Sequence, residues 1–179
     1  MSNVKETEKI VTGLVRFIYP NVITPRAFKE GQEKKYSTMV VIDKTDTATV
    51  EAILDKITAA KDAGKLKGTF KQPLKDGDAE FPDDANFKGK YFLNARSKFK
   101  PGVVDAYKKP ITDPEIFYGG CYGRAVLTFL AYSEGSKGVC ARLKAVQKIK
   151  DGERVGGGDN TDAFDDDFVT DHVGEDDIL

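Results

Sequence analysis

Residues Gly138 to Lys150 read GVCARLKAVQKIK, and their alternation decides the fold class. Val139, Ala141, Leu143, Ala145 and Ile149 fall on odd positions, while Arg142, Lys144, Lys148 and Lys150 fall on even ones. Successive side chains of a strand point to opposite faces, so this pattern predicts a β-strand with an apolar face and a cationic face. Tyr91 to Phe99 (YFLNARSKF) alternates in the same way: Phe92, Asn94, Arg96 and Lys98 share one face, opposite Tyr91, Leu93 and Ala95. Gly119 to Tyr132 is a third alternating run.

Two further strands lie upstream. Tyr36 to Asp43 (YSTMVVID) is apolar at nearly every position, which predicts cover on both faces. Lys9 to Thr24 (KIVTGLVRFIYPNVIT) is rich in β-branched and aromatic residues, and its Gly13 and Pro20 predict a bend or bulge. The period changes between Asp46 and Gly64, where Val50, Ile53, Leu54, Ile57 and Ala60 recur at helical spacing. Gly68 to Lys90, with two prolines, three glycines and mixed charge, reads as an irregular excursion rather than a core element. The loop Lys100 to Ile116 and the tight link Ser133 to Lys137 separate the later strands. The fold class expected is mainly β (α+β): an OB-fold-like barrel, closed or partly open, with one inserted helix. The domain occupies residues 1–155, and residues 156–179 form a glycine linker and a disordered acidic tail.

The chain of 179 residues has a formal net charge of -1, an average that hides a division. Asp159 to Leu179 holds nine acidic residues and no Lys or Arg. All 28 Lys and Arg precede Val155 and face only 20 acids there, a surplus of eight positive charges that suits a polyanionic partner. No run approaches the roughly 18 apolar residues of a membrane span, and the N-terminus MSNVKETEKI has no signal-peptide core, so a cytoplasmic protein with no membrane partner is expected.

A lone cationic strand face is ordinarily just solvated, but here neighbouring strands share the pattern. Cations that follow phosphates, combined with flat rings on which unpaired bases stack for ~1–3 kcal/mol each, are what single-strand binding requires. The candidate contacts on strands are Phe92, Arg96, Lys98, Arg142, Lys144 and Lys148. Phe117 to Arg124 (FYGGCYGR) adds Tyr122 and Arg124, among glycines that let backbone and rings approach a ligand; the competing reading has Phe117 and Tyr118 plugging the barrel end. Tyr107 and Lys108, with Lys109, form a looser cluster.

Catalysis finds little support. The single histidine, His172, lies in the acidic tail. Asp76, Asp78, Glu80, Asp83 and Asp84 have the residue type of a Mg²⁺ nuclease, but no apolar scaffold surrounds them to hold two carboxylates in register. No P-loop, dinucleotide fingerprint, nucleophile elbow or zinc spacing is present, so neither a cofactor nor a metal is expected. Cys121 and Cys140 read as reduced, semi-buried thiols.

The tail TDAFDDDFVTDHVGEDDIL cannot bury a core. Its reach of about 25 Å exceeds the ~15 Å radius of gyration of such a body, so it can touch the basic face and compete with a longer polyanion. Phe164, Asp165, Asp166, Asp167, Phe168, Asp176, Asp177, Ile178 and Leu179 combine acids with apolar anchors suited to partner proteins; a purely solubilising tail is the plainer alternative.

Taken in order, YFLNARSKFKPGVVD (residues 91–105), YGGCYGRAVLTFLAY (118–132) and GVCARLKAVQKIKDGE (138–153) resemble a family of bacteriophage single-stranded DNA-binding proteins, over about Val11 to Glu153. The resemblance implies an OB-fold with a helical insertion, sequence-independent coating of unpaired DNA in phage replication or recombination, and an acidic C-terminus that engages replication proteins. The expected partners are single-stranded DNA and, through the tail, replication or recombination proteins, with a homodimer left open. Rival readings are an RNA-binding or strand-annealing protein, or a protein-interaction adaptor.

Overall fold

The computed structural model describes residues 5–27 and 29–155. Eight strands and two helices follow in the order β1 (Ile10–Val11), β2 (Val15–Arg26), β3 (Lys35–Asp43), α1 (Thr47–Ala63), β4 (Lys75–Asp76), α2 (Gly77–Glu80), β5 (Lys90–Ser97), β6 (Gly102–Val104), β7 (Tyr122–Tyr132) and β8 (Gly138–Lys150). The pairings run β7-β2-β3-β5-β8, and β8 then pairs with β7, so the strands form a ring. Most neighbours are antiparallel; β5 and β8 are parallel, with Arg96 opposite Arg142.

Phe17, Val40, Ile42, Leu93, Leu127, Phe129 and Leu143 fill the interior of this ring. Phe117 stacks on Phe17 at 5.0 Å between centroids and is buried, so it plugs the ring rather than facing a ligand. Helix α1 lays Ile53, Ile57 and Ala60 onto the same core, while Leu54 is exposed and stands off the stripe. The Asp46 side chain accepts the Thr49 amide at 3.3 Å and caps the first turn. Gly13 marks a break between two strands: its amide donates to Thr49 Oγ1 at 2.8 Å, and β1 and β2 run along the same edge of β7 on either side of it. The expected bulge falls at Pro20, where the β2–β3 register shifts between Ile18 and Asn21 and Tyr19 takes a φ of 50°.

Three expectations need correction. The excursion 68–90 is not merely irregular: β4 pairs with β5, and Phe81, Phe87 and Phe92 form a ring cluster with centroids 4.5–5.4 Å apart. The loop 100–116 contains β6, which buries Val103 beside β8. Most consequential is β8, where strict alternation stops at Lys144. Val126 pairs with Ala145 and Leu127 with Leu143, so Lys144 is an extra residue, a β-bulge that reverses the parity beyond it. Val146 is therefore the buried residue, and Ile149 is exposed.

Candidate nucleic-acid interface

The outer faces of β5 and β8, carried side by side by the parallel pairing at Arg96 and Arg142, form the floor of a groove of about 640 Å³. One wall is the segment 71–75. The Lys71 amide donates to the Lys137 carbonyl at 3.0 Å and the Val139 amide to the Lys71 carbonyl at 3.1 Å, while Lys75 pairs with Phe92. Lys35, Lys71, Lys75, Arg96, Lys98 and Arg142 line the groove, with no carboxylate among its lining residues. Six cations in one concavity raise the local potential toward a polyanion. Asn94 and Tyr132 contribute polar and aromatic surface to the same groove. The Nε of Arg142 is buried with no hydrogen-bond partner among the described residues.

Of the residues expected from strand parity, the groove unites Arg96, Lys98 and Arg142. Lys144 stands on the same outer side, and its Nζ is 2.8 Å from Glu6 Oε2. Burial pushes the Glu6 carboxyl up, but hydrogen bonds from Lys144 and Thr128 and the fields of Lys144 and Arg142 outweigh it and hold the carboxyl below the usual range.

The remaining expected contacts lie elsewhere. Phe92 shares a face with Asn94 and Arg96, yet it is only 4% exposed, packed with Phe81 and Phe87, and has no ring face to offer a base. Lys148, displaced by the bulge, has a side chain 15% exposed, bound to Asp151 at 2.7 Å with the Tyr118 ring at 5.1 Å. The Tyr122 ring has the Arg16 guanidinium at 5.3 Å and the Lys150 ammonium at 5.0 Å. Arg16 also donates to the carbonyls of Gly120 (3.1 Å) and Glu153 (2.6 Å) and to Asn86 Oδ1 (3.0 Å), fastening the segment after β8 to the ring. Lys108 and Arg124 border a separate apolar depression with Val11, Val104 and Val126. Tyr107 projects from a turn that Asp105 Oδ1 ties to the amides of Tyr107 and Lys109, and is 84% exposed. The tail residues Phe164 to Phe168 and Asp176 to Leu179 lie outside the described residues.

Sequence reasoning missed Lys35, Lys71, Lys75 and Tyr132 in the groove, and Phe99 beside it. Phe99 follows Lys98 directly and is 82% exposed. Ser97 Oγ accepts the Phe99 amide at 3.0 Å and donates to the Phe99 carbonyl at 2.7 Å, fixing the backbone that presents the ring. In the sequence the available signal was a phenylalanine set between Lys98 and Lys100.

Asp76 and Asp78 each bind Lys44 at 2.7 Å, and no three His, Cys, Asp or Glu side chains among the described residues group as metal ligands. Burial pushes the Cys121 thiol up to about 11 and also raises that of Cys140, so both stay protonated at neutral pH. Among the described residues no helix is long and apolar enough to cross a membrane.

Comparison with known proteins gives a consistent result. A family model described as Enterobacter phage Enc34, ssDNA-binding protein, matches residues 8–179. Putative protein p50 of Acyrthosiphon pisum secondary endosymbiont phage 1 is 31% identical over 173 residues, spanning 88% of this chain and 93% of its own. The single-stranded DNA-binding protein from bacteriophage Enc34, solved in complex with ssDNA, matches with a TM-score of 0.73 and 28% identity, over 83% of this chain and 89% of that one. The protein gp2.5, a single-stranded DNA binding protein encoded by bacteriophage T7, matches with a TM-score of 0.62 over 85% of this chain and 97% of that one; at 14% identity this shows a shared fold alone. The ring of strands is accordingly OB-like.

Proposed function

The chain belongs to the Enc34 family of phage single-stranded DNA-binding proteins, and from that premise we propose that it coats and protects unpaired DNA, without regard to sequence, during phage replication or recombination. The groove lined by six cations and no carboxylate is the observation that carries this reading. Lys35, Lys71, Lys75, Arg96, Lys98 and Arg142 take phosphates, which are common to every sequence. Tyr132 within the groove and Phe99 beside it offer the rings on which bases stack. The role is non-enzymatic: the cations are arranged to hold a strand, not to cleave one.

Fluorescence anisotropy with a labelled oligonucleotide and its duplex tests this directly. The unpaired strand should bind at least about tenfold tighter than duplex, since only free bases reach the rings, with the logarithm of affinity falling linearly in log salt. Equal affinities would defeat the stacking argument, and degradation of the strand on adding Mg²⁺ would defeat the non-enzymatic one.

The acidic tail completes the proposal. Tethered after Val155 at an effective concentration of order mM, it competes with DNA for the basic surface, and once displaced it presents Phe164, Phe168, Ile178 and Leu179 among acids to replication or recombination proteins. Removing residues 159–179 should therefore tighten binding to single strands by about tenfold at low salt, with the gain shrinking as salt screens the competition. A truncated chain that binds no tighter than the full chain rules the competition out.

A further inference from the structure

Immediately beyond the groove, the chain places a carboxylate of its own. Thr128 is the register partner of Arg142 across the β7–β8 ladder. Its hydroxyl donates to Glu6 Oε2 at 3.0 Å, and the same oxygen takes Lys144 Nζ at 2.8 Å. Glu6 reaches this position because the N-terminal segment is strapped along the edge of β7. The Thr7 amide donates to the Phe129 carbonyl at 2.9 Å and the Phe129 amide to Thr7 Oγ1 at 3.0 Å, with Ile10 and Val11 paired to Leu127 and Val126 further along. The backbone anchor is one residue from Glu6, so the side chain can swing away while the strap stays in place.

The chemistry at this point is that of a phosphate contact. An anionic oxygen receives an ammonium and a hydroxyl at charge-assisted hydrogen-bond distances, beside an arginine that lines the groove. Both partners of the ion pair keep water contact, with side chains 43% and 35% exposed, and such pairs are weak enough for an incoming anion to exchange with.

We propose that Glu6 is an intramolecular stand-in for a backbone phosphate, one that occupies Lys144 and so confines the single-strand track to the groove until a longer strand displaces it. The inference rests on the reading of the groove as the DNA site. It gives the N-terminal strap a part in setting how many nucleotides one molecule covers: a short strand fills the groove alone, and a longer one recruits Lys144 only by evicting Glu6.

The test measures binding of the full chain and of Glu6→Gln, Lys144→Gln and the double variant to oligonucleotides of about 6 and about 16 nucleotides, the span of site sizes for one OB domain. Glu6→Gln keeps an acceptor for Thr128 and leaves every backbone bond of the strap intact. It should raise affinity for the long strand about three- to tenfold at low salt, steepen its salt slope by about 0.7, and leave the short strand unchanged. Lys144→Gln alone should cost little, and in the double variant it should cancel the gain. A long-strand affinity unmoved by Glu6→Gln, or a gain that is equal for both lengths and survives Lys144→Gln, overturns the assignment while the groove reading stands. If the short strand fails to bind the native chain at all, the groove reading falls and this inference with it.

Discussion

Replacing Arg96 and Arg142 together by glutamine should lower affinity for single-stranded DNA by about 100-fold at low salt and flatten the salt dependence by about 1.4 units of slope. The size follows from phosphate contact. Each charged hydrogen bond lost to the strand costs at least ~1.4 kcal/mol, a factor of ten, and each phosphate contact contributes about 0.7 to the slope for unpaired strands. The two residues pair side by side in the parallel register of β5 and β8 and line the same groove, so both act on one stretch of strand. Glutamine keeps donors and much of the aliphatic stem, so the substitutions remove charge with little change of shape. The matched control is Lys108→Gln with Arg124→Gln, which removes the same charge from the separate depression beside Val11 and should cost less than about threefold. Affinity within twofold of native for the Arg96 and Arg142 pair would exclude the groove as the site, and equal losses for the two pairs would mean that net charge, not placement, binds the strand.

Much of this site was legible in the sequence, and the physical reasons divide cleanly. Period-two alternation put Asn94 and Arg96 on one face and Arg142 opposite Ala141 and Leu143, because nothing interrupts either strand over those residues. The same rule failed for Lys148, because the extra residue at Lys144 reverses the side chains that follow it as far as Lys148, and for Ile149, which is itself the extra residue of a second register shift; both shifts are visible only in the pairing with β7. Phe92 was assigned to the correct face with the wrong consequence: parity says which way a ring points, but not that Phe81 and Phe87, from a segment with no periodicity of its own, cover it. Lys71 and Lys75 escaped for the same reason. Their wall is made by a few backbone bonds to β8 and β5, which depend on long-range closure and leave no local pattern. The charge division near Val155 needed no structure, since it is a sum over the sequence.

The glycines of FYGGCYGR were expected to admit a ligand, and the structure gives them a different occupant: the chain itself. A Cβ on Gly120 would run into the Glu153 carbonyl, and one on Gly123 into the Gln147 carbonyl oxygen, with its carbon at 2.8 Å and Lys148 Cα at 3.1 Å. Gly123 is the sharper case, because it has no left-handed backbone to complicate the argument. It lies where the β7–β8 register slips past Ile149, and that ladder is the closure of the ring. Gly123→Ala should therefore destabilise the protein by ~3–5 kcal/mol, the upper range for a side chain forced against backbone that cannot give way, and lower the melting temperature by about 10 °C. Gly102→Ala in β6 is the counterpart: its Cβ would meet only the Ala145 methyl at 3.6 Å, an ordinary contact. That change should be neutral, or stabilising by ~0.4–1 kcal/mol through the lost freedom of the unfolded chain. Thermal and urea unfolding of the two variants separates a steric origin from a general intolerance of alanine in strands. If Gly123→Ala melts within about 2 °C of the native chain, the close approach of β8 to Gly123 is relieved at little cost and the ring does not depend on it. A variant too unstable to purify agrees with the prediction only if Gly102→Ala folds normally beside it, because both carry the same added methyl in neighbouring strands of β8.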